Sequence, residues 1–331
     1  MVVVAVAGGI GAVGRTIVEQ LQLHGPHHKV FVMGRKAPTE SIGCCPEFLQ
    51  VDYEDVSSLT KILEDRKIDT VISTINLKTE AASQSQLNLI QAADESCTTH
   101  RFIPSEFLSF MDEKYVTLHA NEYFLFTHML NTNKNDPASG LAIGGWIPSA
   151  LALKKTKLQY VRISVGMFSD YWGMPHIKSN LLPFLVFLDM EKGKAVIPGT
   201  GDYKFTVTYS EDLARVIVRL LETDKWPKRL FLSGSDISMN ELVACAEKIR
   251  GSKIDVVYDT VEKLGKGEAS LVWHPEGIPE NEFMPLLVGF SLMMISGAGI
   301  LPHDNCRVDN LFPDLHLITV EELLATAWQG K

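Results

Sequence analysis

The sequence predicts an α/β protein: a Rossmann-like, doubly wound parallel sheet with a smaller C-terminal lobe. Three observations support this fold class. The chain opens on a short apolar run that leads into closely spaced glycines and then into a helical pattern. Apolar runs and amphipathic stretches alternate through residues 1–107. Strands joined by helices of this length form right-handed βαβ units, and such units build a parallel sheet.

Each element follows from a local pattern. Runs of apolar and β-branched residues predict strands at 1–7, 29–33, 48–51, 69–75, 101–103, 158–165, 230–233 and 253–258. Helical spacing predicts helices after the glycines, at 57–66, 79–96 and 239–249, and from Ser210 onward. Ser238 is the expected N-cap of the helix over 239–249, and Gly251 follows its end. Asparagines, glycines and prolines predict irregular structure over residues 108–157.

The turn after the first strand is typical of dinucleotide binding. Glycines let the backbone turn sharply, approach a pyrophosphate closely and pack a helix against a strand. The following helix offers its N-terminal N–H groups and the positive end of its dipole to phosphates. We expect a dinucleotide to contact Gly8, Gly9, Ile10, Gly11, Ala12, Val13 and Gly14. The alternative is a tight strand-to-helix turn that binds no ligand.

The end of the second predicted strand indicates which nicotinamide cofactor binds. Proteins that bind NAD usually carry an acidic residue there, which accepts hydrogen bonds from the ribose hydroxyls. This chain has Arg35 and Lys36 instead. Two cations suit the 2′-phosphate of NADP(H), although a solvated basic loop is the alternative. Asp52, after the third strand, is placed either to contact the adenine or to form a turn.

The expected organisation is a cofactor-binding domain over residues 1–165 and a substrate lobe over 166–331, with some elements of the lobe returning to the sheet. A chain of 331 residues can form one large domain or two smaller ones. The apolar stretch from Phe283 to Leu301 contains Pro285 and several glycines. We interpret it as a buried helix or a substrate-lining segment, not as a membrane span.

Composition excludes several classes of protein. The net charge of −9 disfavours nucleic-acid binding, which needs clustered lysines and arginines. The five cysteines show neither a disulfide framework nor a zinc pattern, so we expect a reducing, cytoplasmic environment and no bound metal. The opening apolar run lacks the basic flank and the length of a signal peptide, and it flows directly into the glycines. We therefore expect a protein with a small-molecule partner and no membrane association.

Three segments of the chain are distinctive: the glycine turn, the run from Asp69 to Ile75 and the sequence Arg101-Phe102-Ile103-Pro104-Ser105-Glu106-Phe107. They resemble the NmrA-like and isoflavone-reductase-like family of atypical short-chain dehydrogenases. Residues 165–176, 195–201 and 210–214 are similar to a fungal branch of that family. The resemblance covers most of residues 1–260 and is weak over 108–157.

The resemblance implies an NADP(H)-binding Rossmann domain and a small substrate lobe. Members of the family include reductases of phenolic or polyketide-like molecules and redox-sensing regulators that have no catalytic activity. The resemblance implies further cofactor contacts from Thr74, Ile75, Asn76, Pro104, Ser105, Glu106 and Phe107. It also implies that Gly166, Met167 and Phe168 close the site beside the substrate.

The chain departs from the family pattern at the proton donor. Reductases of the family carry a lysine about 20–25 residues after the Pro-Ser-Glu-Phe motif, where it serves near the nicotinamide. Residues 124–130 contain no lysine, and no tyrosine of the chain is followed four residues later by a lysine. His128 lies in this window, and a free imidazole titrates near neutrality, so His128 is our candidate catalytic residue, with a structural role as the alternative. Lys114, Lys134 and Lys154 are further candidates if the irregular segment folds back.

Aromatic residues in the predicted lobe suggest a wall for a flat ligand. Tyr171, Trp172 and His176 join Phe168 in one short stretch. Apolar pockets with few polar groups bind such ligands, but ordinary core packing of aromatic residues is an equal alternative.

Two function hypotheses follow. The first is an NADP(H)-dependent reductase of a small aromatic or polyketide-derived metabolite in specialised metabolism. The second is a non-redox member of the same fold, either an isomerase or cyclase or an NADP-sensing regulator with a protein partner. The missing lysine keeps the second hypothesis open, because a fold by itself does not determine function.

Overall fold

The computed structural model describes residues 1–37, 46–77, 79–108, 146–274 and 279–331. Its backbone divides into two compact units. The first unit comprises Met1–Glu106, Ala142–Ile163 and Leu213–Leu230, and the second comprises Phe107–Leu141, Ser164–Asp212 and Phe231–Lys331. The chain therefore leaves the first unit and returns to it twice.

Six parallel strands form the sheet of the first unit. They are β1 (Val3–Ala7), β2 (Lys29–Gly34), β3 (Glu47–Gln50), β4 (Thr70–Ser73), β5 (Arg101–Ile103) and β6 (Gln159–Tyr160). Their order is β3-β2-β1-β4-β5-β6, and every neighbouring pair is parallel. The strand order reverses between β1 and β4. Open α/β sheets bind ligands at such a reversal, beyond the carboxyl ends of the strands.

Helices cover both faces of this sheet, as the continuous apolar strands predict. They are α1 (Ala12–His24), α2 (Val56–Asp65), α3 (Glu80–Glu95) and α4 (Trp146–Leu153). On one face, Phe31 of β2 belongs to a core cluster with Leu59 of α2, Leu89 of α3 and Leu153 of α4. The other face packs against α1, where Val18 lies near Gly9. The predicted α/β class with a doubly wound, Rossmann-like parallel sheet is therefore confirmed.

The predicted strand over 158–165 is divided. β6 pairs with β5, and Val161 still donates its N–H to the carbonyl of Phe102 at 3.3 Å. Arg162 then donates its N–H to Lys228 instead, at 3.1 Å. The backbone changes hydrogen-bonding partner at this point, which an apolar run in the sequence does not reveal.

The prediction of irregular structure over 108–157 is wrong for residues 146–153, which form α4. Pro148 lies in the first turn of this helix. A proline is tolerated there because the first-turn N–H groups have no partner within the helix. Residues 109–145 lie outside the described part of the chain.

The remaining elements are short strands and helices of varied length. The strands are β7 (Arg162–Ser164), β8 (Met167–Phe168), β9 (Leu188–Asp189), β10 (Lys194–Pro198), β11 (Lys204–Thr208), β12 (Arg229–Phe231), β13 (Ser235–Ser238) and β14 (Asp255–Asp259). The helices are α5 (Asp170–Gly173), α6 (Ser210–Leu221), α7 (Met239–Arg250), α8 (Val261–Gly265), α9 (Glu280–Ile295), α10 (Val308–Leu311) and α11 (Val320–Trp328). The chain crosses between the units within β7, α6 and β12.

The second unit is built on two three-stranded sheets, β14-β10-β9 and β13-β11-β8. Its core cluster includes Trp172, Phe205 of β11, Leu242 of α7 and Leu323 of α11. α7 begins and ends as predicted, with a capping box at Ser238 and a left-handed Gly251. Among the residues that the structure describes, no helix combines the length and the apolar character needed to cross a bilayer.

Candidate cofactor site

The glycine turn between β1 and α1 is packed so closely that side chains are excluded. A Cβ atom on Gly14 would lie 2.4 Å from the carbonyl oxygen of Gly8 and 2.5 Å from Oγ1 of Thr74. Gly8 has a φ of +79°, which favours glycine. Its N–H donates to the carbonyl of Met33 at 2.9 Å, which ties the turn to the end of β2. The turn is thus tightly packed at the carboxyl end of β1.

The N-terminus of α1 has the features of an anion site. Gly11 is the N-cap, and no side chain of the described residues caps the helix. The first turn, which includes Ala12, Val13 and Gly14, contains no acidic residue. Uncapped N–H groups and the helix dipole favour a negatively charged ligand here. Ile10, in the same turn, is 41% exposed although it is a large apolar residue.

The end of β2 carries the predicted cations. Arg35 and Lys36 are both exposed. Burial raises the pKa of the Tyr53 hydroxyl well above its usual range, and the positive charge of Arg35 partly offsets this rise. The Tyr53 hydroxyl donates to the carbonyl of Met33 at 3.4 Å, so it lies beside the carboxyl end of β2. A 2′-phosphate at this place would meet cationic donors and no carboxylate at the end of β2.

Asp52 follows β3 and is exposed. Its Oδ1 accepts a hydrogen bond from the N–H of Glu54 at 2.9 Å. This geometry is that of a turn residue, one of the two roles that the sequence allows. The second carboxylate oxygen leaves capacity for a ligand, so the adenine contact stays a prediction.

The residues after β4 differ in role: one packs against the glycine turn and another is exposed to solvent. Thr74 donates its hydroxyl to the carbonyl of Ala7 at 2.7 Å, and its Oγ1 packs against the glycine turn. Ile75 is half-buried and Asn76 is exposed. Thr74 thus packs behind the glycine turn, while Asn76 is accessible to a ligand.

The residues after β5 are fixed by side chains. Pro104 and Phe107 are buried. Glu106 is buried and forms a two-point ion pair with the equally buried Arg162. The N–H of Ser105 donates to Oε1 of Gln86 at 2.9 Å. Because its carboxylate is bound to Arg162, Glu106 supports this loop from within.

Of the four candidate proton donors, the structure describes the position of Lys154. His128, Lys114 and Lys134 lie outside the described residues. Lys154 is exposed, just after α4 and before β6. Nearby Lys157 donates its N–H to Asp94, near the C-terminal end of α3, at 2.8 Å. Helices of βαβ units run antiparallel to their strands, so Lys154 lies at the edge of the sheet opposite the glycine turn.

The second unit places three predicted substrate-binding residues around a strand pairing. Gly166 has a φ of +68°, and a Cβ atom there would lie 2.1 Å from the carbonyl oxygen of Thr206. Met167 and Phe168 pair with Val207 and Thr208 of β11. Phe168 is buried, whereas Met167 lines a small apolar cavity together with Phe187, Phe205, Thr206, Phe290, Met293, Met294 and Gly299.

The predicted aromatic wall is only partly available to a ligand. Trp172 is completely buried in the core and donates its indole N–H to the carbonyl of Val186 at 3.0 Å. Tyr171 is half-buried against Phe184, with ring centroids 5.7 Å apart. Burial and the nearby Asp170 carboxylate raise the pKa of Tyr171 to about 12. His176 is exposed, with its ring edge-to-face on Trp328.

Sequence reasoning missed Gln86 and Arg162. The sequence around each of these two residues contains a signal that could have identified it. Gln86 lies at helical spacing with Leu89, Ile90 and Ala93, so a polar residue occupies the apolar face of α3. Arg162 interrupts an apolar strand run with a charge. A polar residue in such a position requires a buried partner.

Comparisons with known proteins identify the family. Residues 2–124 match the model of the NmrA-like family. The chain is 31% identical to oxidoreductase swnN of Metarhizium robertsii, and the alignment covers 100% of this chain and 98% of that protein. The chain belongs to the NmrA-like family. Oxidoreductase BOA1 of Botryotinia fuckeliana is 33% identical over 76% of this chain and 77% of its own length.

The fold agrees with this membership of the NmrA-like family. The structure of AtPrR2 with NADP⁺ and (+)pinoresinol superimposes with a TM-score of 0.68 at 18% identity, covering 98% of each chain. The family resemblance and the oxidoreductase class that the sequence predicted are therefore confirmed.

Proposed function

We propose that this protein is an NADP(H)-dependent reductase that holds its cofactor at the carboxyl edge of the first unit's sheet. The observation that carries the proposal is the glycine turn, where a Cβ atom on Gly14 would collide with the backbone below the uncapped N-terminus of α1. This close packing, together with a helix N-terminus that has no side-chain cap and no acidic residue in its first turn, fits a site for a pyrophosphate. Ile10 and Gly11 of the turn are exposed, where a pyrophosphate would approach.

Selectivity for the phosphorylated cofactor is assigned to Arg35 and Lys36. Both are exposed at the end of β2, where an NAD-binding protein would carry an acid. The planar guanidinium of Arg35 can bind two phosphate oxygens together, and Lys36 adds a point charge. Ile10 gives an apolar surface that a bound dinucleotide would cover.

The reaction that we propose is the reduction of a small aromatic or polyketide-derived molecule. Bound NADPH supplies the hydride. The chain's own contribution is to hold the cofactor through the glycine turn and to provide a proton donor, for which His128 stays our candidate. Lys154 is not proposed, because it lies at the other edge of the sheet.

Substrate recognition is assigned to residues of the second unit. Met167 and Tyr171 are half-buried, and the surfaces around them are aromatic and apolar. Tyr171 stays protonated at neutral pH, so it can donate a hydrogen bond to a ligand oxygen. The solved AtPrR2 structure contains an aromatic ligand, which supports the same class of substrate here.

The test is a comparison of NADPH and NADH binding by calorimetry. Arg35→Ala should weaken NADPH binding by about tenfold to 100-fold, because a charge-assisted phosphate contact is lost, and should leave NADH binding nearly unchanged. Arg66→Ala is the matched control, since Arg66 pairs with Glu47 at 2.8 Å, where β3 begins rather than ends. The absence of NADPH binding in the unmodified protein would overturn the proposal.

A further inference from the structure

Gln86 of α3 is completely buried, and both the oxygen and the nitrogen of its side-chain amide form hydrogen bonds. Its Oε1 accepts a hydrogen bond from the N–H of Ser105 at 2.9 Å. Its Nε2 donates to Oγ of Ser149 at 2.8 Å. A buried polar side chain is costly unless it is paired, so its position on the apolar face of α3 is explained by these two bonds. Gln86 connects α3 to α4 and to the loop after β5.

The loop after β5 needs such a support. The ladder of β5 ends where Ile103 pairs with Ile72, and Pro104 has no N–H to continue it. Beyond this point, the described hydrogen bonds that hold the loop to the rest of the first unit come from two side chains. Gln86 binds the backbone of Ser105, and Arg162 binds the carboxylate of Glu106. Among the described residues, no ladder hydrogen bond of the sheet reaches Ser105 itself.

The position of this loop matters because of the strand order. The sheet reverses between β1 and β4, so a dinucleotide that crosses the glycine turn has one half beyond β2 and β3 and the other beyond β4 and β5. Arg35 marks the half that carries the 2′-phosphate. Ser105 therefore lies on the side of the nicotinamide.

We propose that Gln86 is a positioning residue, which holds the Ser105 loop where it supports the nicotinamide half of the cofactor. This inference rests on the proposed function. It assigns Gln86 no contact with the adenosine half, so removing the amide should affect one half of the ligand selectively.

The experiment uses two ligands and no substrate. NADPH is compared with 2′-phospho-ADP-ribose, which has the same phosphates but lacks the nicotinamide. Gln86→Met retains the length of the side chain and removes both hydrogen bonds. We expect its dissociation constant for NADPH to rise by about tenfold, and that for 2′-phospho-ADP-ribose to change by less than about twofold.

Three further variants make the test specific. Gln86→Glu should restore NADPH binding, because a neutral carboxylic acid in this buried place can accept from Ser105 and donate to Ser149. Gln84→Met is the matched control on the exposed face of the same helix, where Gln84 pairs with Asn88, and should bind both ligands normally. If Gln86→Met does not fold, Gln86→Asn keeps a polar group that is too short to reach Ser105 and should show the same selective loss.

The possible outcomes are distinct. Equal loss of both ligands, or unchanged NADPH binding in a folded Gln86→Met variant, would show that Gln86 is merely structural. If the unmodified protein binds neither ligand, the proposed function itself fails and this inference fails with it.

Discussion

The two units of this protein solve the same packing problem in different ways. The first unit has a single six-stranded parallel sheet, in which neighbouring strands pair residue by residue without interruption. The second has two three-stranded sheets with short strands, and its backbone takes positive φ at Gly166, Gly193, Gly199 and Gly201. The first unit is thus specified by repeating local patterns, whereas the second depends on individual close approaches.

The comparison also separates two uses of glycine. At Gly14 the missing Cβ leaves room in a turn that faces a proposed ligand. At Gly166 it lets β8 approach Thr206 of β11, inside the second unit. We expect the first glycine to serve binding and the second to serve assembly, although both exclude a side chain.

The largest expected effect separates these two uses. Gly14→Ala should weaken NADPH binding by about 100-fold or more, since its Cβ atom forces the glycine turn to shift and small displacements in a preorganised site are costly. Gly166→Ala should lower the free energy of unfolding by about 3 kcal/mol, because it combines a positive φ with a backbone clash, while a folded fraction still binds NADPH. Calorimetry and urea unfolding measure the two effects.

Gly265→Ala is the control for both variants. Nothing lies within 4 Å of the position that its Cβ atom would occupy. This variant should resemble the unmodified protein in both measurements. Loss of NADPH binding in Gly166→Ala that is as large as in Gly14→Ala would remove the distinction between the two glycines.

An intermediate effect is expected from pH in the first unit. Burial, the neighbouring His27 and the N-terminus lower the pKa of His28 from its ordinary value of 6.5. The unfolded chain therefore binds a proton more readily than the folded chain. Stability from this group is complete above pH 6.5 and is lost as the pH falls below this value toward the folded pKa.

His28→Asn tests this effect. An Asn oxygen can replace Nδ1 of His28, which accepts the N–H of Val2 at 3.2 Å, without gaining a proton. Urea unfolding between about pH 7.5 and about pH 5.5 should show a smaller loss of stability in this variant. The same substitution at exposed His24 should keep the slope of the unmodified protein. An unchanged slope in His28→Asn would assign the acid sensitivity elsewhere.

The smallest expected effect is at Lys154. Because this residue lies at the edge of the sheet opposite the glycine turn, Lys154→Ala should change NADPH affinity and the rate of NADPH oxidation by less than roughly twofold, as surface substitutions usually do. Oxidation is followed with a panel of quinones and phenolic ketones. A large loss of rate with normal binding would return Lys154 to the proton-donor candidates.

The sequence by itself determined the βαβ order, the glycine turn, the cations after β2 and the caps of α7. These features depend on residues that are close in the chain, where periodicity, glycine and capping chemistry act directly. Residues 79–96 show this well, since α3 occupies Glu80–Glu95 between a capping Thr79 and Ser96.

Only the tertiary structure decided which polar residues support the site and which are accessible. Gln86 and Ser149 are 63 positions apart, and Glu106 and Arg162 are 56 apart. Their pairing depends on how helices and strands pack, which no local pattern encodes. The same holds for Trp172, whose burial follows from elements as distant as α7 and α11. Local chemistry therefore determined the elements, and long-range packing determined the role of each side chain.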